Sequence, residues 1–243
     1  MYVPKTSGLA HLLLRHPILI IGVLAAIAFS SYTARKPHPV VSLNFDDGYT
    51  STYSKAFPIL KRYRLPATTF IITDKVGEPG FMNLEQLRTL RKAGWEIGSH
   101  TVTHPHLTQI PEVSAYGELY LSKRALEEWG FEVSSFAVPF GDTNDRIWER
   151  IKERYRISRG IDEGLNPKPF PKHNLKCIIP KADTKIEEIK GWIDKCVEEK
   201  AWLILAFHRI GETGEYNNSE EFLEEICQYI KNKHRVKVLK LRR

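Results

Sequence analysis

Val40-Val41-Ser42-Leu43-Asn44-Phe45-Asp46-Asp47-Gly48-Tyr49 starts as a β-branched, mostly apolar run and ends abruptly in two acids and a glycine. Read as a strand over Val40–Phe45, it delivers both carboxylates to its C-terminal end. From Pro39 onward the same grammar repeats, with short β-branched runs alternating with helical stretches, as expected of βα units winding a parallel sheet or barrel. The strand candidates are Val40–Phe45, Ala67–Thr73, Trp95–Ser99, Val133–Val138, Arg156–Arg159, Lys176–Ile179, Trp202–Phe207 and Val236–Leu239. Eight candidates exceed what an open three-layer fold of this size needs, so the pattern predicts an α/β fold closed into a barrel.

Helices fit between the strands over about Thr52–Tyr63, Asn83–Ala93, Pro111–Trp129, Asn144–Arg154, Thr184–Glu199 and Ser219–Lys233. Asn83 followed by Gln86 reads as a capping box, and Gly94 and Gly130 stand where a left-handed residue ends a helix. Pro167, Pro169 and Pro171 make Glu163–Asn174 a loop. No composition break divides the chain after residue 37.

In parallel αβ barrels functional groups collect at the C-terminal ends of strands. Asp46-Asp47, His100-Thr101-Val102-Thr103-His104, Pro139-Phe140-Gly141 and His208 each follow a strand candidate directly, so four strand ends converge on one face. Pro105 and the β-branched residues between His100 and His104 oppose a helix there and favour a loop. Two imidazoles and one carboxylate make a three-ligand set for a divalent cation such as zinc, with positions left for water and substrate, and the second carboxylate is free to act as a base.

The 243-residue chain carries a formal charge of +7, but Lys5, Arg15, Arg35 and Lys36 stand in the first 36 residues, where no acid occurs. Without them 32 basic residues face 29 acidic ones, and no basic patch interleaved with aromatics argues for nucleic acid. Cys177, Cys196 and Cys227 are too few and too far apart for a disulfide scaffold or a cysteine metal knuckle, and read as buried thiols.

Residues 1–36 form a separate segment. Lys5 and Arg15 precede the apolar run Ile18–Phe29, and Arg35-Lys36 follow it, which is export-signal architecture. The twelve-residue run suits a signal core, with Ala26-Ile27-Ala28 as a small-x-small cleavage pattern. The longer uncharged stretch from His16 to Ala34, with Tyr32 placed as an interfacial aromatic, favours an uncleaved anchor over a cleaved signal or a buried helix. The expectation is an extracytoplasmic catalytic domain over residues 37–243, membrane-anchored or secreted.

Phe45–Gly48 (F-D-D-G), His100–His104 (H-T-x-x-H), Phe136–Gly141 (F-x-x-P-F-G) and Leu205–His208 (L-x-x-H), in that order, make the chain resemble the polysaccharide deacetylase family, also called the NodB-homology domain or carbohydrate esterase family four. The resemblance spans about Val40 to Leu239. It implies a distorted (β/α) barrel of about seven strands that removes N-acetyl or O-acetyl groups from the sugars of a polysaccharide. It further implies a divalent metal, zinc first with cobalt or nickel as alternatives, held by Asp47, His100 and His104. Asp46 would be the general base and His208 the general acid for the leaving amine. The backbone N–H of Phe140 would face the oxyanion, and Leu205 would line the pocket for the acetyl methyl. The partners so implied are an N-acetylated glycan and, through the N-terminal segment, a membrane; a monomer is expected.

Two departures stand out. The position of the arginine that orients the base in the family is Ala137, and no Asp-x-x-Asp-Trp motif supplies a partner for the acid; Asp162, Lys181 and Asp183 are candidates by location alone. They leave two alternatives to a deacetylase, a glycan-binding pseudoenzyme and a hydrolase of small amides on the same fold.

Overall fold

The computed structural model describes residues 38–242, so residues 1–36, expected to be a signal or anchor, lie outside the described residues. The described residues carry a curled parallel sheet of β1 (Val40–Phe45), β2 (Thr68–Ile71), β3 (Glu96–Ser99), β4 (Ser135–Ala137), β5 (Ile157–Glu163), β6 (Leu175–Cys177) and β7 (Trp202–Phe207). Two short strands, β8 (Arg209–Ile210) and β9 (Asn217–Asn218), pair apart from it, and β10 (Lys237–Val238) lies parallel to the start of β1. All eight strand candidates are present, with ends shifted by a few residues.

β7 pairs with β1 along its whole length, from Val40↔Trp202 to Phe45↔Phe207. β6 reaches β7 through a single bridge, Ile178↔Leu205, and β3 meets β4 only at Ser99↔Phe136. The sheet therefore closes into a barrel, and these two thin seams are its distortion. Among the described residues six α-helices cover the outside: α1 (Phe57–Arg62), α2 (Leu84–Lys92), α3 (Glu112–Glu128), α4 (Asp145–Arg154), α5 (Ile186–Glu199) and α6 (Glu220–Asn232). The first helical stretch is not uniform, because Thr52–Ala56 forms a π-helical turn ahead of α1. Pro58 has no N–H for an α-type bond to Ser54, which favours a wider turn there. The capping box of α2 forms as read, with Asn83 and Gln86 each accepting from the other's backbone. The β5 to β6 connection lacks a helix, in keeping with its prolines.

Strand periodicity decides what each strand offers to each side. Val41, Leu43 and Phe45 of β1, with Leu203, Leu205 and Phe207 of β7, belong to the large core beneath the helices. Val40, Trp202, Ile204 and Ala206 face the barrel interior with Phe70, Ala137, Ile157 and Leu241. Gly98 belongs to this packing, since a Cβ there would lie 2.6 Å from the Phe70 ring. The floor, where strands begin, is closed by the last residues: Leu241 is fully buried, its N–H donates to Thr68 Oγ1 (2.9 Å), and the Arg242 N–H donates to Glu96 Oε2 (2.7 Å). Trp202 Nε1 donates to Ser42 Oγ (2.9 Å), which donates to the Leu239 carbonyl (2.7 Å). Among the described residues no helix is long and apolar enough to cross a membrane.

Candidate active site

Asp46 follows Phe45 in β1 and keeps the inward direction of Val40, while Asp47 turns at φ 68°. Three more non-glycine residues of the mouth share that left-handed backbone: Thr101 (68°), His104 (62°) and Phe140 (55°). Each costs of order 1–3 kcal/mol, most for the β-branched Thr101, and such residues cluster where side chains must be aimed against local preference. The loop carrying the histidines is held from α3. Glu118 accepts from the Val102 and Thr103 N–H groups (2.7 and 2.9 Å) and from the Thr103 hydroxyl (2.8 Å).

The result is convergence of the three expected ligands. Asp47 Oδ1 lies 3.4 Å from His100 Nε2 and 3.5 Å from His104 Nε2. These contacts are long for hydrogen bonds, and Asp47 Oδ1 is buried without a hydrogen-bond partner. Tetrahedral ligands at about 2.0–2.1 Å from a zinc ion stand roughly 3.3–3.4 Å apart, so this spacing and the orphaned oxygen fit a cation between them. His100 Nδ1 is 2.8 Å from the Ala137 carbonyl, to which it donates in the neutral ring, leaving the Nε2 lone pair for the shared point. Burial would raise Asp47, but the adjacent His100 imidazole outweighs it and holds the carboxyl well below the usual carboxylate range. Burial, reinforced by His100, pushes His104 down to about 4.

The arginine missing at Ala137 is supplied one strand away. Ala137 of β4 and Arg159 of β5 are register partners. Arg159, fully buried, donates from Nη2 to Asp46 Oδ2, and its guanidinium lies 5.2 Å from the Phe70 ring centroid. Alanine opposite it leaves the barrel interior free for that side chain. Burial alone would raise Asp46, and the Arg159 charge overcomes it, keeping the carboxyl below its ordinary value. Asp46 Oδ1 is buried with no hydrogen-bond partner.

His208 continues the inward direction of Ile204 and Ala206, with Nε2 3.9 Å from Asp46 Oδ2. Its Nδ1 is buried without a hydrogen-bond partner, and neither Asp162, Lys181 nor Asp183 forms an ion pair or hydrogen bond with it. Lys181 pairs instead with Glu215 (2.7 Å). The His208 ring rests against Tyr216, 5.2 Å between centroids. Leu205 does not reach the site. Three residues from His208, it has the opposite parity, faces the helices and is fully buried in the outer core. The apolar side chains that line the cleft are Ile72, Val138, Ile161 and Ile179.

Phe140 sits where the sequence placed it, half exposed at the rim, its ring edge-on to His104 (4.5 Å) and stacked on His106 (4.0 Å). His106, two residues past His104, thus braces Phe140, with Nδ1 3.7 Å from Asp142. Gly141 allows the turn, at φ 65° and with a hypothetical Cβ only 2.3 Å from Ile161. The cleft measures about 460 Å³, within the range of small-ligand sites, and its rim carries the exposed Phe140, Ile161 and Tyr216.

Residues 33–154 match the family model described as "Polysaccharide deacetylase", a span that includes Asp46, Asp47, His100, His104 and Phe140 but ends before Arg159 and His208. The chain is 36% identical over 133 residues to the poly-beta-1,6-N-acetyl-D-glucosamine N-deacetylase of Staphylococcus aureus strain MRSA252, covering 48% of this chain and 46% of that protein. It spans less than half the length of the first curated relatives it matches. The Streptococcus pyogenes deacetylase PplD, solved with acetate, superposes at a TM-score of 0.54 with 27% identity, over 64% of this chain and 71% of that one. The Xyl-CE4 domain of a xylanase from the hindgut metagenome of Trinervitermes trinervoides shares the fold at a TM-score of 0.60 and 21% identity, over 84% and 87%.

Proposed function

Since this chain belongs to the polysaccharide deacetylase family, we propose that it removes N-acetyl groups from an exported glycan by metal-assisted hydrolysis at the barrel mouth. The single observation that carries the reading is the meeting of Asp46, Asp47, His100, His104 and His208 in one cleft, with Arg159 beneath Asp46.

Asp47, His100 and His104 would hold the metal, with zinc the first candidate and cobalt or nickel the alternatives. A divalent metal bound there lowers the pKa of water and polarises the acetyl carbonyl. Asp46 acts as base: the guanidinium holds Oδ2 and keeps the group ionised, while Oδ1, buried and unpartnered, is free to accept a proton. His208, across the cleft, delivers a proton to the departing amine nitrogen, which otherwise leaves poorly. The backbone N–H of Phe140 faces the developing oxyanion. The acetyl methyl lies among the aliphatic side chains of the cleft and not on Leu205.

A β-1,6-linked N-acetylglucosamine polymer is the first substrate to test, in line with the staphylococcal relative, with peptidoglycan and chitin-like oligomers next. The domain of residues 37–243 acts outside the cytoplasm, held by or released from the segment containing Ile18–Phe29. The non-catalytic alternative drew on the alanine at position 137 and on the missing partner of the acid; the guanidinium of Arg159 makes good the first, while His208 Nδ1 stays without a partner. Acetate release from these three glycans, assayed on metal-stripped protein and again after zinc addition, tests the proposal. Release restored by the metal is expected; metal uptake at the site with no acetate from any glycan would overturn it.

A further inference from the structure

We propose that the floor of the barrel, the face on which its strands begin, docks on an anionic lipid bilayer. Charge is divided unevenly between the two ends of the domain. Residues 38–242 contain 31 basic and 29 acidic side chains. Residues 62–67, 91–96, 127–134, 152–156, 168–174, 198–201 and 231–242, which lead into the strands or close beneath them, hold 16 basic and 7 acidic. The remainder holds 15 and 22. The floor is therefore strongly positive and everything else, mouth included, is negative.

Helix dipoles account for part of this, because the helix C-termini lie here and carry Arg62, Lys92, Arg154 and Lys231 in their last turns. They do not account for Arg64, Arg156, Lys172, Lys200, Arg235 and Lys237, which stand outside the helices, are exposed, and form no ion pair within 4 Å among the described residues. A hollow of about 250 Å³ lies between Arg156, Lys172 and Arg242, the last of them paired with Glu132, and is of a size to receive a phosphate headgroup. The polypeptide also enters β1 on this face at His38, nine residues after the end of the apolar run Ile18–Phe29 and just after Arg35-Lys36. An acidic mouth is repelled by the same bilayer, so the lipid orients the domain with its cleft away from the membrane. Docking does not depend on the deacetylase chemistry.

The test uses the full chain with vesicles of 30% phosphatidylglycerol in phosphatidylcholine or of phosphatidylcholine alone, and reads lysine acylation by mass spectrometry. Lys172, Lys200 and Lys237 should react at least fivefold more slowly on the anionic vesicles, and recover at 0.5 M salt as the attraction is screened. Lys181 and Lys185, beyond the strand ends, should react alike throughout and serve as the internal reference. The variant Arg64→Gln/Arg156→Gln/Arg235→Gln should lose most of the protection. Equal reactivity on both vesicles, or no association with anionic vesicles at low salt, overturns the proposal. So does protection by soluble polyphosphate exceeding that by vesicles, which would make the partner a dissolved polyanion.

Discussion

The two ends of the barrel are built from the same strands by opposite rules. The floor is closed by a buried leucine and a trail of hydrogen bonds through Ser42, Thr68 and Glu96 Oε2, with Glu96 Oε1 and Ser134 Oγ left buried without partners. The mouth holds buried polar atoms without partners, among them Asp46 Oδ1, Asp47 Oδ1 and His208 Nδ1, on a backbone that puts four non-glycine residues into the left-handed region. Stability resides at one end and reactivity at the other. Orphaned polar atoms at the mouth face a cleft in which a cation and a substrate can satisfy them; the two at the floor line no such cleft and only cost free energy.

The comparison breaks most visibly at the ligands. Asp47→Ala, His100→Ala or His104→Ala should abolish metal uptake and acetate release together, yet change metal-free stability by only about 1 kcal/mol or less. Metal analysis and denaturant unfolding check both halves, and a mutant active at the wild-type rate would remove that residue from the triad. Asp46→Asn should retain the metal and lose the activity, since an amide of the same shape cannot accept the proton.

His208→Ala comes next, with amide hydrolysis slowed by about 10²–10⁴-fold and metal content unchanged. An activated ester, whose leaving group needs no proton, should be spared. Equal losses on both substrates would make His208 a substrate-positioning group.

Arg159 joins the two ends, because it is packed like the core and acts on the site. Arg159→Met should lower activity by about 10–100-fold and stability by about 3–5 kcal/mol, since it leaves a buried carboxylate alone. It should also move the acid limb of the rate profile upward as Asp46 becomes harder to ionise. Adding Ala137→Arg to that variant should recover part of both losses, because positions 137 and 159 face each other across the β4–β5 register. Leu241→Ala is the control from the floor: about 2–5 kcal/mol of stability lost, with the turnover of the folded fraction unchanged.

The smallest effect is electrostatic. In the metal-free protein His104 is neutral down to about pH 4, against about 6.5 unfolded, so the unfolded chain binds the extra proton and stability falls as pH drops through that window. Asp46, depressed by Arg159, adds a second fall below the unfolded carboxylate value of about 3.9, as pH drops toward its lower folded value. His104→Asn should erase the upper step in acid titrations of unfolding, and Asp46→Asn should shrink the lower one, to which the depressed Asp47 also contributes.

Much of this was legible beforehand, for identifiable reasons. Strands and helices announce themselves by period, so every strand and helix candidate within residues 38–242 has a counterpart in the fold. The meeting of Asp46, Asp47, His100, His104 and His208 followed from strand ends sharing one side of a barrel. Arg159 was missed because register between strands is a relation across the chain; nothing near Ala137 reveals which residue lies beside it. Its position at the end of the candidate Arg156–Arg159 was the available hint. Leu205 was misplaced although the signal was present, since residues three apart on one strand cannot share a face. The grip of Glu118 on the histidine loop joins a helix to a turn before it and left no local trace.

The pairing of β1 has a temporal meaning. Val40 finds its partner Trp202 only after 162 further residues, and the floor closes only once Leu241 is in place. β1 therefore leaves the ribosome long before the residues that lock it, and contacts so distant in sequence form slowly. For a polypeptide proposed to cross a membrane, that delay is useful. The wiring of the barrel postpones its own completion until the residues from Val40 through Leu241 have all been made, giving the export machinery an interval in which that stretch can still be threaded.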